Sequence, residues 1–212
     1  MRKWFLAFLI LPNFALAAEF KPLFDGRTLD GWKHVGEGGF LVDDGVLRTR
    51  GGMGLLYWSK QKFGNAVIRV VFRTKGKNDN SGIFIRIPLE PREAMMPVHY
   101  GYEVQIDSEP ERWGEDDHHY TGSLYSFTRA LAKPAKPYPE WNTMEITMKG
   151  PRTTVTVNGV TVTDFKEGDP VPPGTPQSPQ RGPRPNQGYV GLQNHSGQDT
   201  VDFKEVSVKE LK

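Results

Sequence analysis

Trp141-Asn142-Thr143-Met144-Glu145-Ile146-Thr147-Met148-Lys149-Gly150-Pro151-Arg152-Thr153-Thr154-Val155-Thr156-Val157-Asn158-Gly159-Val160-Thr161-Val162-Thr163 decides the fold class. From Trp141 to Met148 the residues alternate. Asn142, Met144, Ile146 and Met148 fall on one side, and Trp141, Thr143, Glu145 and Thr147 on the other. Strand side chains repeat every two residues, so this segment reads as a strand with one apolar face. Thr153–Val157 and Val160–Thr163 are rich in β-branched residues and flank Asn158-Gly159. That dipeptide suits a type I′ hairpin, whose two turn residues both need positive φ.

The same signals recur outward from this hairpin. Phe40-Leu41-Val42 and Val46-Leu47-Arg48 flank Asp43-Asp44-Gly45, another hairpin turn. Leu55–Trp58 is a short apolar run, and Asn65–Arg73 alternates Val67, Arg69, Val71 and Arg73 against Ala66, Ile68, Val70 and Phe72. Gly82–Ile87 is a strand stopped by Pro88, and Gly188–Gln193 and Val201–Val208 close the chain. Roughly ten strands and no long helical pattern predict an all-β protein, an antiparallel β-sandwich of the jelly-roll kind. Two irregular segments interrupt the strands. Pro88–Pro97 is rich in proline and methionine, and Gly168–Gly188 holds seven prolines. A loop this long in a compact domain is usually functional or mobile, so it is read either as the rim of a cleft or as a surface excursion.

Composition narrows the setting. Arg2 and Lys3, the apolar run from Trp4 to Leu11, and Ala15-Leu16-Ala17 read as a secretory signal peptide over residues 1–17. Its apolar run is too short to span a bilayer comfortably. The chain has no cysteine, so the cysteine that a lipid anchor needs is missing, and a periplasmic or secreted location is expected. Without the leader, 195 residues remain, and the basic count falls from 27 to 25 against 25 acids. A neutral protein gives no electrostatic argument for nucleic acid or acidic membranes. The length fits one domain over residues 18–212, with a single core and no disulfide support. Oligomeric state is left open.

Gly101-Tyr102-Glu103-Val104-Gln105-Ile106-Asp107 is the segment with most chemical content. Tyr102, Val104 and Ile106 share one face, while Glu103, Gln105 and Asp107 share the other. Two carboxylates and an amide in a row must meet water, partners or a ligand. Either the row is a solvated outer face, or it lines a site that handles a polar ligand such as a sugar.

Several blocks, in order, resemble one family. Phe24-Asp25-Gly26-Arg27-Thr28-Leu29-Asp30-Gly31-Trp32 resembles the opening of the 3-keto-disaccharide hydrolase domain family. Asn80-Ser81-Gly82-Ile83-Phe84-Ile85-Arg86 and Gly101–Asp107 are similar to two of its central strands, with Asp107 one place earlier than the usual spacing. Thr121-Gly122-Ser123-Leu124-Tyr125, Glu140-Trp141-Asn142, Gly188–His195 and Phe203–Lys209 match later blocks. The resemblance implies a concanavalin-like fold and action on glycosides whose sugar carries a ketone at C3. That ketone acidifies the C2 hydrogen. A base removes it, the aglycone leaves from C1, and hydration of the unsaturated product completes net hydrolysis. Such a site needs a base, an acid for the leaving oxygen, and donors or a metal for the enolate oxygen.

Glu103 is the first candidate base, and Gln105 its hydrogen-bonding neighbour. Residues two apart on one face lie about 7 Å apart and residues four apart about 13–14 Å, so one sugar ring covers Glu103 and Gln105 while Asp107 needs a bend to join them. Arg86 is placed beside Glu103 by the alternation of its strand, either gripping a sugar oxygen or pairing with the acid. His195, in Gln193-Asn194-His195-Ser196-Gly197, suits acid–base work, although the family pattern lacks the intervening Ser196. Gln193 and Asn80 are candidate sugar contacts, with Asn80 equally suited to capping the turn before it. Tyr125 and Trp141 are candidate stacking residues, and for Trp141 ordinary core is the stronger reading.

No cofactor is specified by any motif; a divalent metal at the enolate is left open. The acidic run Glu115-Asp116-Asp117 beside His118-His119 lacks a recognised calcium spacing and reads as a solvated loop. The partner expected is a carbohydrate. Two other readings stand beside the enzyme: a carbohydrate-binding module on the same fold, and a laminarinase-type glycosidase. The latter is weakened by the neutral Gln105 at the centre of the row.

Overall fold

The computed structural model describes residues 19–107, 109 and 116–212. The expected leader and Glu115 of the acidic run lie outside the described residues. Thirteen strands among those residues form two antiparallel sheets. They are β1 Lys21–Pro22, β2 Trp32–Gly36, β3 Gly39–Asp43, β4 Val46–Arg50, β5 Gly54–Trp58, β6 Ala66–Thr74 and β7 Ser81–Ile87. After the short helix α1, Met96–Tyr100, come β8 Tyr102–Ile106, β9 Asn142–Lys149, β10 Arg152–Val157, β11 Val160–Lys166, β12 Tyr189–Asn194 and β13 Val201–Glu210. The larger sheet has the order β11-β10-β9-β6-β13-β4-β3, with β1 beside β13; the smaller has the order β2-β5-β12-β7-β8. Strands distant in sequence lie side by side in both, as a jelly roll requires. β1 and β2 carry no alternation that the sequence reading detects.

The hairpin that decides the fold class forms as its residues dictate. Asn158 and Gly159 have φ of 50° and 81°, and Val157 pairs with Val160. Asp44 and Gly45 make the equivalent turn between β3 and β4, with φ of 46° and 75°. Asn142, Met144, Ile146 and Met148 face inward, as do Ile68, Val70 and Phe72 of β6. They meet Leu56, Ile83, Ile85, Val104, Val190 and Leu192 of the smaller sheet in one core. Burial of these side chains at about 25 cal/mol per Å² is the main stabilising term. The smaller sheet turns its other face to the molecule's cleft, and a second apolar cluster of Leu55, Tyr57, Phe84, Ile87 and Val98 grows there. α1 covers part of that face, so the proline- and methionine-rich segment before β8 walls the cleft.

Candidate active site

The polar row is buried. Glu103 and Gln105 are only 6% and 2% exposed, which removes the reading of a solvated outer face. Their strand β8 lies at the edge of the smaller sheet, and its free edge is not left open. Gln105 N–H donates to Ser123 O, Gly122 N–H to Gln105 O, and Tyr125 N–H to Glu103 O, at 2.8–3.0 Å. The segment Thr121–Tyr125 thus acts as an irregular extra strand and sets Tyr125 next to Glu103. On the inner side β7 pairs with β8, placing Phe84 opposite Glu103 and Gly82 opposite Gln105.

A cavity of about 190 Å³ stands over this face. Six of the residues expected from the sequence line it: Asn80, Glu103, Gln105, Tyr125, Gln193 and His195. Met53, Met95, Val98 and Gln177 complete the lining. Gln177 comes from the proline-rich loop, which is held in place rather than loose. Arg184, 7% exposed, donates to the carbonyls of Gly101, His99, Gln180 and Gly182 and so fastens the loop to the start of β8.

Two ionisable groups share the cavity. Burial pushes the Glu103 carboxyl up to about 8, only partly offset by the charge of His195 and a hydrogen bond with Gln193. Burial alone would lower the His195 pKa. The hydrogen bond that the imidazole donates to Asp199 and the negative charges of Asp199, Glu103 and Asp107 outweigh it and raise the pKa above the ordinary imidazole value. His195 Nδ1 lies 2.8 Å from Asp199 Oδ2. Asp199 is itself fixed by Ser196 Oγ at 2.5 Å and by the Asn80 backbone N–H at 2.9 Å. With Nδ1 engaged, Nε2 is the ring nitrogen left for a ligand. Buried acceptors are also present: Asn80 Oδ1, Gln105 Oε1 and Gln193 Oε1 have no hydrogen-bond partner in the protein. Leaving such atoms unpaired costs about 1–3 kcal/mol each, and a ligand rich in hydroxyl donors removes that cost.

Three expected site residues lie elsewhere. Arg86 does not stand beside Glu103. The pairing of β7 with β12 slips between Tyr189 and Gly191, and Arg86 sits in the resulting bulge with φ of 55°. The extra residue reverses the alternation, so Ile87 rejoins Phe84 on the cleft face and Arg86 turns away. Its guanidinium donates to the carbonyls of Pro185 and Gly150 at 3.0 and 2.7 Å. Asp107 is fully buried and does not line the cavity; its Oδ1 accepts from Glu109 N–H and its Oδ2 from Asn80 Nδ2. Trp141 is neither core nor cleft. It precedes β9 in the larger sheet, and the Arg73 guanidinium lies 4.5 Å from its ring centre.

The two described acids of the acidic run are paired within the chain. Asp116 pairs with Arg129 and His118, and Asp117 with Lys133. Among the described residues no group of three or more His, Cys, Asp or Glu side chains is arranged to hold a metal ion.

Sequence reasoning missed three residues that shape the site. Asp199 follows His195 by four places, a spacing that an acid–imidazole search detects. Gln177 gave no signal within its low-complexity loop. Gly82 is the third. A Cβ there meets Glu103 Oε1 at 2.5 Å and Cγ at 2.7 Å, so the bare backbone of β7 is the seat of the Glu103 side chain. Gly82→Ala is expected to displace that carboxyl and lower kcat about 100-fold, since ångström-scale misplacement costs that much. Steady-state kinetics of the folded variant check this, and unchanged kcat contradicts it.

Comparison with known proteins agrees with this architecture. A 3-keto-disaccharide hydrolase of Bacteroides thetaiotaomicron is 26% identical over 149 residues, 58% of this chain and 50% of that protein. The chain therefore spans about half the length of the curated relative it matches. A Parabacteroides distasonis protein named as a candidate glycosyl hydrolase superposes with a TM-score of 0.74 at 23% identity, covering 91% of this chain and 100% of that one. A carbohydrate-binding module of Bacillus subtilis superposes with a TM-score of 0.57 at 13% identity, covering 85% and 96%. These two likenesses establish the concanavalin-like jelly-roll fold. Matched over residues 19–209, from before β1 to the penultimate residue of β13, the chain belongs to the 3-keto-alpha-glucoside-1,2-lyase-like domain family.

Proposed function

We propose that this protein cleaves 3-keto-glycosides by removing the C2 proton and eliminating the aglycone, followed by hydration. The supporting observation is the convergence of Glu103 and His195 on one cavity, with Asp199 behind the imidazole. Family membership supports the choice of a 3-keto-glycoside as substrate class, and the unpaired amide oxygens suit a polyol.

The roles follow from the charges. Glu103 and His195 share one proton in the working state, as carboxylate and imidazolium, because each favours the other's charge. A buried carboxylate with raised proton affinity is a stronger base than an exposed one. It takes the C2 hydrogen, and the C–H electrons form the C3 enolate, whose oxygen accepts from the Gln105 amide. As the ketone re-forms, C1=C2 appears and the C1–O bond breaks. His195 gives its Nε2 proton to the leaving oxygen. Water then adds at C1, losing a proton to neutral His195, and protonated Glu103 returns its proton to C2. Both residues end as they began, and the sum is hydrolysis. Departure of the enone before water adds gives the lyase outcome.

A binding module on this fold is the second reading, but Tyr125 is the sole aromatic lining the cavity among the described residues, which is a poor stacking platform. The deciding assay compares a 3-keto disaccharide with its unoxidised parent. Turnover of the first alone is expected; binding of either without product overturns the proposal. The leader expected at residues 1–17 supports a periplasmic or extracellular setting for the reaction.

A bell-shaped pH profile of kcat/KM is also expected. Each limb reports loss of one proton from the Glu103–His195 pair, whose members both hold their protons above the ordinary carboxyl and imidazole values. The two apparent values belong to the pair. His195→Asn is expected to lower kcat by about 10²–10⁴ with a sugar leaving group and far less with a nitrophenolate, which needs no acid. Equal losses for both aglycones contradict the acid role.

A further inference from the structure

The first cavity is too small for a whole disaccharide. Its volume of about 190 Å³ falls below the roughly 300–1,000 Å³ of ordinary ligand sites. A second cavity, about 390 Å³, lies on the other side of the Tyr125 wall. Tyr125 lines the first cavity and its ring packs edge-on against His119 of the second, with centroids 5.1 Å apart. The neighbouring Ser126 already lines the second. The same step is repeated across the cleft. Gln177 of the proline-rich loop lines the first cavity and Thr175 the second. A single ridge, Tyr125 with its loop partner, therefore separates the two spaces.

The second cavity is chemically suited to a sugar. Pro172 and Pro173 give it flat apolar faces, and Asp116, His118, His119, Ser126 and Thr175 give it polar groups. The buried Nδ1 of His119 has no hydrogen-bond partner. The ridge is braced: Arg181 donates to Ser126 Oγ at 3.2 Å and to the Pro172 and Pro173 carbonyls at 2.9 and 3.1 Å. These bonds tie the chain after Tyr125 to the loop, so both walls keep their spacing before a ligand arrives.

We propose that this second cavity is the subsite for the leaving half of the substrate, a hexose, with the scissile oxygen over the Tyr125 ridge. The assignment rests on the reading of the first cavity as the keto-sugar site. The test uses the full-length protein and two substrates, a 3-keto disaccharide and methyl 3-keto-α-glucoside, whose methyl group needs no second subsite. Thr175→Trp fills the cavity and His118→Ala removes one of its polar groups. Each variant is expected to lose at least about tenfold in kcat/KM on the disaccharide while keeping wild-type kcat/KM on the methyl glycoside. Equal losses on both substrates, or no loss on either, overturn the subsite.

A wild-type protein that turns over neither substrate overturns the reading of the first cavity instead. The subsite is then decided by calorimetric titration with unoxidised methyl glucoside. Binding that Thr175→Trp abolishes supports it, and binding that is absent or unaffected overturns it.

Discussion

Replacing Glu103 by glutamine is expected to lower kcat on a 3-keto disaccharide by about 10³–10⁴-fold, whatever the aglycone, because no better leaving group substitutes for a missing base. The same change should leave the protein at least as stable at neutral pH. Glu103 has an ordinary value of 4.5 and a folded value of about 8, so between these limits the folded state holds a proton that the unfolded chain has released. Stability therefore falls as pH rises through that window, by up to a few kcal/mol. Glutamine keeps the shape and carries no charge, so it removes the penalty. A thermal melt at pH 8 and one at pH 4 make the comparison; the gain belongs to the first and vanishes in the second. Loss of activity together with a lower melting temperature at pH 8 contradicts this account and makes Glu103 a structural acid.

Arg86→Met is expected to do the reverse. Arg86 is fully buried, and its guanidinium satisfies the carbonyls of Gly150, Arg152 and Pro185 and the side chain of Asn186. Methionine fills much of the space but donates nothing, and the orphaned carbonyls cost about 3 kcal/mol or more in total. For a domain of this size that lowers the melting temperature by about 6–12 °C. The folded variant should keep its kcat and its pH profile, because the guanidinium faces away from Glu103. A drop in kcat at unchanged stability would return Arg86 to the site. The pair of substitutions thus separates two residues that simple alternation puts side by side.

The sequence by itself determined the class of fold and the faces of its strands. Period-two alternation is a local property, and it holds wherever a strand is regular. It set Tyr102, Val104 and Ile106 inward, and the Asn158-Gly159 turn needed only the φ preferences of its own two residues. For the same reason Glu103 and Gln105 were legible as one polar face. The ordered blocks from Phe24 to Lys209 carried the family, because each is a contiguous run that can be read without knowing its tertiary neighbours.

Tertiary structure decided what depends on residues far apart in the chain. The bulge that turns Arg86 away arises in the pairing of β7 with β12, about a hundred positions later, and breaks the alternation without any mark in the local sequence. Asp107 follows β8 where Asn80 and Glu109 hydrogen-bond to its carboxylate, and the turn holds it there. Trp141 faces outward because its strand lies in the sheet opposite the cleft. The proton affinity of Glu103 is a consequence of burial, which Gly82, Tyr125 and α1 create together. Composition and spacing name the residues that can do the chemistry; only the packed sheets decide which of them meet, and how dry the place is where they do.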